Sequence, residues 1–217
     1  STITVTPTYI NGGVSCSGPP EPFTITVNPS GQVDLPASAS QVVCNGDSTI
    51  PVEFKTSNTA GKTTFSWTNS NPSIGLAASG VGTVPRFVAY NSTNTVAVGT
   101  IVVTPFYENG GVSCQGVPKT FTIEVNPEPE MIQPDAQVIC AGETFFYNFD
   151  SNNLGGTTTY EWSNGETDFG IEIIESGDFS VKVSNENGCE SQWSEAYSVT
   201  VFSQPEQPTI TVDDQVL

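Results

Sequence analysis

Histidine is absent from this 217-residue chain, and only five Lys and Arg face 23 Asp and Glu, for a formal net charge of −18. Without histidine, neither a Ser-His-Asp nor a Cys-His catalytic arrangement can form. No carboxylate lies in an apolar loop of the kind that raises a pKa for glycoside hydrolysis. We therefore predict that the chain is not an enzyme. The shortage of cations also excludes nucleic acid as a partner, because a phosphate backbone is bound by neutralising it.

Leucine is scarce as well, with four copies in the chain, whereas Thr, Val, Ser, Asn, Gly and Pro are abundant. That composition disfavours helices and favours strands. No apolar run reaches the length of about 18 residues that spans a bilayer, so no membrane insertion is expected in this segment. No C-x-x-C pair is present, which makes a zinc site improbable and leaves disulfides as the expected use of the five cysteines.

Apolar and polar residues alternate with a period of two at 95–103, 121–125, 179–183 and 197–201. Such alternation places one face of a strand inward. Asn-Gly turns at 109–110, 164–165 and 187–188 separate the runs at the spacing of a β-sandwich. The predicted fold class is all-β, with tandem immunoglobulin-like sandwich modules in an elongated array.

An internal repeat organises the chain. Residues 1–29 recur without gaps at 99–127, and 20 of the 29 positions are identical at an offset of 98. One such period has the size of one sandwich domain, longer than solenoid or propeller units of about 20 to 50 residues. A fainter echo links 41–48 to 137–144 and marks the start of each complete module.

Proline-rich joints then divide the chain into four parts. Residues 1–29, the N-terminal segment, are expected to be the C-terminal part of a truncated repeat, and residues 30–127, the middle module, a complete one. Residues 128–204, the acidic module, are expected to be an Ig-like module, and 205–217 the start of a further module. Residues 128–217 carry 17 acids and only Lys182 as a base, against six acids and four bases before residue 128.

Each complete module contains a Cys, a Trp and a second Cys, which lies just before the final strand. That common placement predicts structural disulfides within modules, Cys44–Cys114 and Cys140–Cys189, each contributing about 4 kcal/mol. Cys16 is left over, because its partner at an offset of 98 would precede residue 1; a reactive or intermolecular thiol is the alternative. Trp67 and Trp162 are expected to be core residues of central strands, and Trp193 is the better candidate for an exposed ring.

No cofactor is predicted, with calcium as the alternative, because hard cations bind carboxylate oxygens. The candidate ligands at the joints are Glu128, Glu130, Asp135, Asp213 and Asp214; a solubilising acidic surface is the simpler interpretation. The triplet 91–93 also fits the N-glycosylation acceptor pattern, a three-residue match.

The segments at 43–46, 65–80, 104–105 and 121–127 resemble the PKD-like repeat of giant surface adhesins in Bacteroidota. The resemblance implies that residues 30–127 are a complete PKD-like repeat and that residues 1–29 are the C-terminal part of a truncated one. Residues 130–203 resemble the Ig-like modules that accompany such repeats. The Gly-Asp-Gly turn of the strict PKD signature is absent, so no PKD ligand site is carried over. The resemblance is to SprB-type gliding adhesins, and it implies an extracellular, cell-surface protein that is secreted by the type IX system and carried along the surface by a motor.

The expected function is accordingly that of a repetitive stalk segment of a cell-surface adhesin, supporting surface attachment and gliding motility. Its expected partners are neighbouring modules of the same chain, with surface polysaccharide or other cell-surface proteins as further candidates. The alternative is an accessory carbohydrate-binding or spacer module of a secreted polysaccharide-degrading enzyme, with Trp193 or the acidic face contacting glycan.

Overall fold

The computed structural model describes residues 1–129, 136–141, 143, 145–146 (backbone only) and 159–210. Within these residues the regular structure is β, apart from a 3₁₀ turn at Pro72–Ile74, so the all-β prediction is confirmed. The described part of the chain has no helix long and apolar enough to cross a membrane.

The described strands lie in three of the four predicted parts of the chain. The N-terminal segment contains β1 (Thr2–Val5), β2 (Thr8–Asn11), β3 (Val14–Ser17) and β4 (Glu21–Thr24). The middle module contains β5 (Gln41–Cys44), β6 (Lys62–Asn69), β7 (Ser79–Val81), β8 (Ala97–Asn109), β9 (Val112–Gln115) and β10 (Lys119–Asn126). The acidic module contains β11 (Gln137–Cys140), β12 (Phe145–Phe146), β13 (Thr159–Trp162), β14 (Glu172–Ile173), β15 (Gly177–Phe179), β16 (Val181–Ser184) and β17 (Tyr197–Phe202).

The long strand β8 is the centre of the middle module. Its alternate residues, including Ile101, Val103 and Tyr107, are buried, as a period of two requires of a strand with one face on the core. β10 and β6 pair with β8 on either side, in the sheet order β5-β10-β8-β6-β7, and β9 also pairs with β8. The core beneath this sheet includes Trp67 and Ile74.

The N-terminal segment reproduces the register of its repeat. Ile3 pairs with Phe23, as Ile101 pairs with Phe121 at an offset of 98. The hairpin of β2 and β3 likewise matches that of β8 and β9 residue for residue. Twenty identities therefore translate into the same strand pairing.

The two copies differ in the cover over their apolar face. Ile3 is 39% exposed and Tyr9 68%, whereas their counterparts Ile101 and Tyr107 are 0% and 2% exposed. In the middle module β6 pairs along β8 from Asn69 to Lys62. Among the described residues no strand pairs with β1 or β2 in that way, and no residue of 1–29 belongs to a buried core cluster, so the face stays open.

A glycine of β7 packs directly on the core tryptophan. Gly80 pairs with Trp67, and a Cβ added to Gly80 would overlap the Cζ2 and Cε2 atoms of the indole. Since the indole is buried between the sheet and the core, it has little room to move away. Only a residue without a side chain fits at this position.

Gly80→Ala is therefore expected to destabilise the middle module by about 1–3 kcal/mol through overpacking. Urea denaturation followed by tryptophan fluorescence measures the change. Ser79→Ala, at the exposed neighbouring position, is the control and should change the free energy of unfolding by no more than about 0.5 kcal/mol. Equal midpoints for the two variants would contradict the packing role of Gly80.

The acidic module has its own hydrophobic cluster. It comprises Trp162, Ile171, Ile173, Val181, Val183, Tyr197 and Val199. The indole Nε1 of Trp162 donates a hydrogen bond of 3.0 Å to the carbonyl oxygen of Asp168, which satisfies its polar atom inside the core. The described clusters draw on residues 33–125 and 139–201; boundaries at 30, 128 and 205 stay predictions.

The two modules share one arrangement of their first and last strands. β5 runs parallel to β10 with Cys44 opposite Asn126, and β11 runs parallel to β17 with Cys140 opposite Phe202. In each module the first-strand cysteine therefore lies where the last strand ends. This end is where the chain leaves the module.

Candidate functional site: the joint between the middle and acidic modules

A disulfide joins the two modules. Cys44 of the middle module is bonded to Cys189 of the acidic module, across a sequence separation of 145 residues and with Cα atoms 5.5 Å apart. Cys16 and Cys140 are free and exposed, and Cys114 is free and half-buried. The predicted bonds within modules, Cys44–Cys114 and Cys140–Cys189, are therefore wrong.

The middle module cannot close the first of those bonds because its two cysteines lie at opposite ends of β8. Cys114 is opposite Tyr107, whereas Cys44 lies beside Asn126, whose neighbour Val125 is opposite Ala97. The ten residue-to-residue steps from Ala97 to Tyr107 span about 33 Å in a strand. A disulfide needs Cα atoms about 4.4–6.8 Å apart.

In the acidic module, too, the two cysteines lie at opposite ends. Cys140 lies at the end of β17, where the chain leaves the module. Cys189 is in the turn after β16, where Asn185 donates a backbone hydrogen bond to the Cys189 carbonyl and its side-chain amide lies 3.5 Å from the carbonyl oxygen of Pro127. Cys189 is therefore at the end of the acidic module where the chain enters.

Glu128 links both modules through its carboxylate. Its Oε1 accepts a 3.1 Å hydrogen bond from the backbone N–H of Gln192, and its Oε2 accepts a 3.4 Å bond from the side-chain amide of Asn45. The flanking Pro127 and Pro129 are buried. The joint is thus a packed interface held by one covalent bond and a bridging carboxylate.

Asn45 is itself positioned by the core of the middle module. Its side-chain oxygen accepts a 2.8 Å hydrogen bond from the backbone N–H of Asn91. The Asn91 amide is buried and donates 2.8 Å bonds to the carbonyl oxygens of Thr95 and Val125. The Asn91 side chain therefore stabilises the fold by hydrogen bonds to the backbone. Although Asn91 fits the glycosylation pattern, its amide is not accessible as an acceptor.

Glu128→Ala is expected to weaken the association of the two modules at the joint by about 1.5–3 kcal/mol. The substitution removes two hydrogen bonds to a charged group and leaves the amide of Asn45 and the N–H of Gln192 without their acceptor. Measured in a Cys44→Ser/Cys189→Ser background, where no covalent bond masks the loss, the change should appear as faster proteolysis between the modules. Glu53→Ala, at an exposed position of the middle module, is the matched control. Equal cleavage of both variants would contradict the bridging role.

Of the calcium candidates, only Glu128 lies in the described residues, and its carboxylate oxygens bind the two modules. Glu130, Asp135, Asp213 and Asp214 lie outside the described residues. Within the part of the chain that the structure describes, no three Cys, Asp or Glu side chains are grouped to hold a metal ion. Calcium stays the alternative to the prediction of no cofactor.

Trp193 differs from the other two tryptophans in its exposure. Trp67 and Trp162 are buried, whereas Trp193 is 46% exposed. With Glu161, Ser163 and Ser180 it lines a shallow depression of about 470 Å³. This combination of an open aromatic ring and polar side chains suits a neutral sugar better than an ionic ligand.

A lysine holds one side of this depression in place. The ammonium of Lys182 lies 5.8 Å from the centroid of the Trp193 ring and forms ion pairs of 3.0 Å with Glu161 and 3.1 Å with Glu190. The hydrogen bond to Glu161, and then that to Glu190, raises the pKa of Lys182 above its usual value. Lys182 therefore keeps its charge at neutral pH.

Sequence reasoning missed Asn45 and Asn185 as joint residues, and it placed Glu128 at a joint only as a candidate calcium ligand. A signal was present: Cys44 and Cys189 each adjoin an Asn-Gly turn, at 45–46 and 187–188. Such turns end strands and lie at the extremities of a sandwich. Two cysteines in end turns are better placed to reach a neighbouring module than each other.

No protein-family model matches the chain, and no curated protein matches it. Among solved structures, the chain is similar to fibronectin(III)-like modules of Clostridium thermocellum CbhA, at 12% identity and a TM-score of 0.33, covering 82% of this chain and 100% of that one. It is similar to the Ig1-2 module of Drosophila receptor protein tyrosine phosphatase DLAR, at 11% identity and a TM-score of 0.28, covering 78% and 98%. The chain is also similar to extracellular cadherin domains 3-6 of protocadherin gamma B2, at 8% identity and a TM-score of 0.42, covering 95% of this chain and 59% of that one. These are likenesses of fold alone.

Proposed function

We propose that this chain is a load-bearing stalk segment of an extracellular adhesin, which supports surface attachment and gliding motility. The observation that carries the proposal is the disulfide between Cys44 and Cys189, which closes the joint between two modules covalently. A flexible linker would let each module move independently. A covalent bond beside a packed, proline-containing joint fixes the modules as one unit.

The disulfide also sets the path of a pulling force. Tension that enters at one end of the chain passes from Cys44 directly to Cys189, because the bond joins them across 145 residues of sequence. Strands β6 to β16 lie inside the bypassed loop. Most of both modules is thereby shielded from extension, as a stalk under load requires.

Compartment and charge support the same proposal. Disulfides persist in oxidising surroundings outside the cytosol. A net charge of −18 favours solubility and repels the chain from anionic surfaces. The adhesin and gliding parts of the proposal rest on the sequence resemblance to gliding adhesins.

Cells that display the full chain provide the test. Deleting residues 30–204 should increase detachment of the cells under flow and slow their movement along a surface. Insertion of two unrelated disulfide-linked sandwich modules at the same place should restore attachment, because a stalk acts through length and strength. Unchanged attachment after the deletion would refute the stalk function.

The exposed ring of Trp193 favours a second candidate, an accessory carbohydrate-binding module of a secreted polysaccharide-degrading enzyme. The depression beside it is lined by hydroxyl and carboxylate groups that can bind sugar hydroxyls. The negative charge of the acidic module disfavours anionic glycans. A neutral polysaccharide is therefore the ligand class.

Affinity electrophoresis in a gel that contains a soluble neutral β-glucan tests this candidate. Trp193→Ala is expected to weaken retardation about tenfold or more, since loss of an aromatic contact of about 1.4 kcal/mol corresponds to that factor. Phe169→Ala, another exposed aromatic of the same module, is the control and should migrate like the parent. A parent chain that is not retarded would exclude neutral β-glucan as the ligand.

A further inference from the structure

We propose that the Cys44–Cys189 bond is one link of a head-to-tail pattern, in which the first-strand cysteine of each module is bonded to an entry-side cysteine of the next. Cys140 is then bonded to a module beyond residue 204, and Cys114 to the module before the middle one. The inference rests on the proposed function in that both treat the chain as part of a module array. It goes further by assigning a partner to each of these free cysteines.

Cys140 is the structural counterpart of Cys44. Each ends a first strand that runs parallel to the last strand of its module. The backbone N–H of each donates to the carboxylate three residues later, at 3.3 Å from Cys44 to Asp47 and 2.9 Å from Cys140 to Glu143. The bonded cysteine and the free one therefore have the same local geometry, and Cys140 is exposed.

The turn after each of these cysteines is the same in both modules. The N–H of Asp47 donates to the Cys44 carbonyl, as that of Glu143 does to the Cys140 carbonyl. The residue after each cysteine also donates its N–H to the last residue of the last strand, Asn126 or Phe202. Because Cys44 reaches forward from this position into the next module, Cys140 is placed to do likewise.

Cys114 occupies the receiving position at the other end of the middle module. The N–H of Gly31 donates to the Cys114 carbonyl at 3.2 Å, so this cysteine lies where the chain enters the module. Asn109, in the hairpin that carries Cys114, is linked to Asn28 by two hydrogen bonds of 3.0 Å. The side-chain amide of Asn28 donates to the Asn109 carbonyl oxygen, and the side-chain amide of Asn109 donates to the side-chain oxygen of Asn28. Cys189 is likewise at the entry side of its module.

The repeat identifies the partner of Cys114. Asn28 is the counterpart of Asn126 at an offset of 98, and Asn126 is the residue opposite Cys44. A cysteine of the Cys44 type in the preceding repeat would therefore lie opposite Asn28. That position borders the hairpin of Cys114, as Cys44 borders Cys189.

Bond formation proceeds by thiol–disulfide exchange with a disulfide oxidant, either a protein disulfide or a small-molecule one. Two cysteine thiols and one oxidant disulfide yield one protein disulfide and two oxidant thiols, so atoms and electrons balance. The thiolate is the attacking species. The exposed Cys140 is accessible to such an oxidant.

Peptide mapping of the oxidised full chain without reduction tests the pattern. The peptide containing Cys140 should be linked to a peptide from beyond residue 204, and that containing Cys114 to a peptide from before residue 1. Recovery of Cys140 as a free thiol, or linked to Cys114, Cys189 or a second copy of the chain, would overturn it. Peptide mapping measures which cysteines are bonded, whereas the detachment assay measures attachment of cells. The bonding pattern and the stalk function can therefore fail separately.

Thiol labelling of folded chains gives a second readout. In the 217-residue chain Cys140 should react with a maleimide, whereas in the oxidised full chain its labelling should fall about tenfold or more, because a disulfide has no nucleophilic thiolate. Cys140→Ser in the full chain should expose one new reactive thiol beyond residue 204. If that variant releases no new thiol, the forward link is wrong.

Discussion

Single chains pulled from their ends should extend roughly 500 Å further when Cys44 and Cys189 are both replaced by serine than when their disulfide is intact. The bond bypasses 145 residues, and a residue contributes about 3.4 Å to an extended chain. Because the two Cα atoms are 5.5 Å apart in the folded protein, almost all of that length is hidden while the bond lasts. Force spectroscopy of the chain, with and without a reductant, measures the difference.

Cys114→Ser/Cys140→Ser is the matched control, since it removes two thiols that are free in this chain. Its total extension should equal that of the parent, and a reductant should lengthen parent and control alike. Had the bonds formed within modules, as the spacing suggested, this control would also gain length. A parent that extends fully without reductant would show that the joint is not covalently closed.

Ile101→Ala is expected to lower the free energy of unfolding of the middle module by about 2–5 kcal/mol, whereas Ile3→Ala should cost under about 1 kcal/mol. The two residues are equivalent in the repeat and in strand register. Ile101 is packed in the core cluster, so its truncation leaves a cavity. The face around Ile3 is open, so its truncation removes little buried surface.

Urea denaturation of the 217-residue chain gives both values under the same conditions. The comparison is direct because the substitution is the same and the two isoleucines occupy equivalent register positions, opposite Phe23 and Phe121. A loss at Ile3 as large as that at Ile101 would mean that the N-terminal segment has a core of its own. The open face would then need another explanation.

The repeat shows how far local pattern reaches. Identical residues in 1–29 and 99–127 produce identical strand pairing, because alternation and the Asn-Gly-Gly turn specify register within a hairpin. Burial does not follow from the same residues. It depends on core residues that lie outside the repeated segment, such as Trp67 and Ile74, and among the described residues only the middle copy is packed against such a core.

The candidate site was harder to predict than the fold. Glu128 was identified as a joint acid and as one of several candidate calcium ligands, whereas its oxygens accept hydrogen bonds from Asn45 and Gln192. A carboxylate between two modules offers the same oxygens to a cation or to N–H donors. The choice depends on which groups the neighbouring module brings within about 3 Å.

Sequence by itself determined that this protein is all-β and that its period is 98 residues. It also showed that the chain lacks the histidine of Ser-His-Asp and Cys-His enzymes and has too few basic residues to bind a nucleic-acid backbone. These properties follow from composition and from short-range alternation. Only the tertiary structure decided which cysteines pair. Spacing along the chain placed Cys44 with Cys114, but β8 holds them about 33 Å apart, while the turn at the joint brings Cys189 of the next module to Cys44.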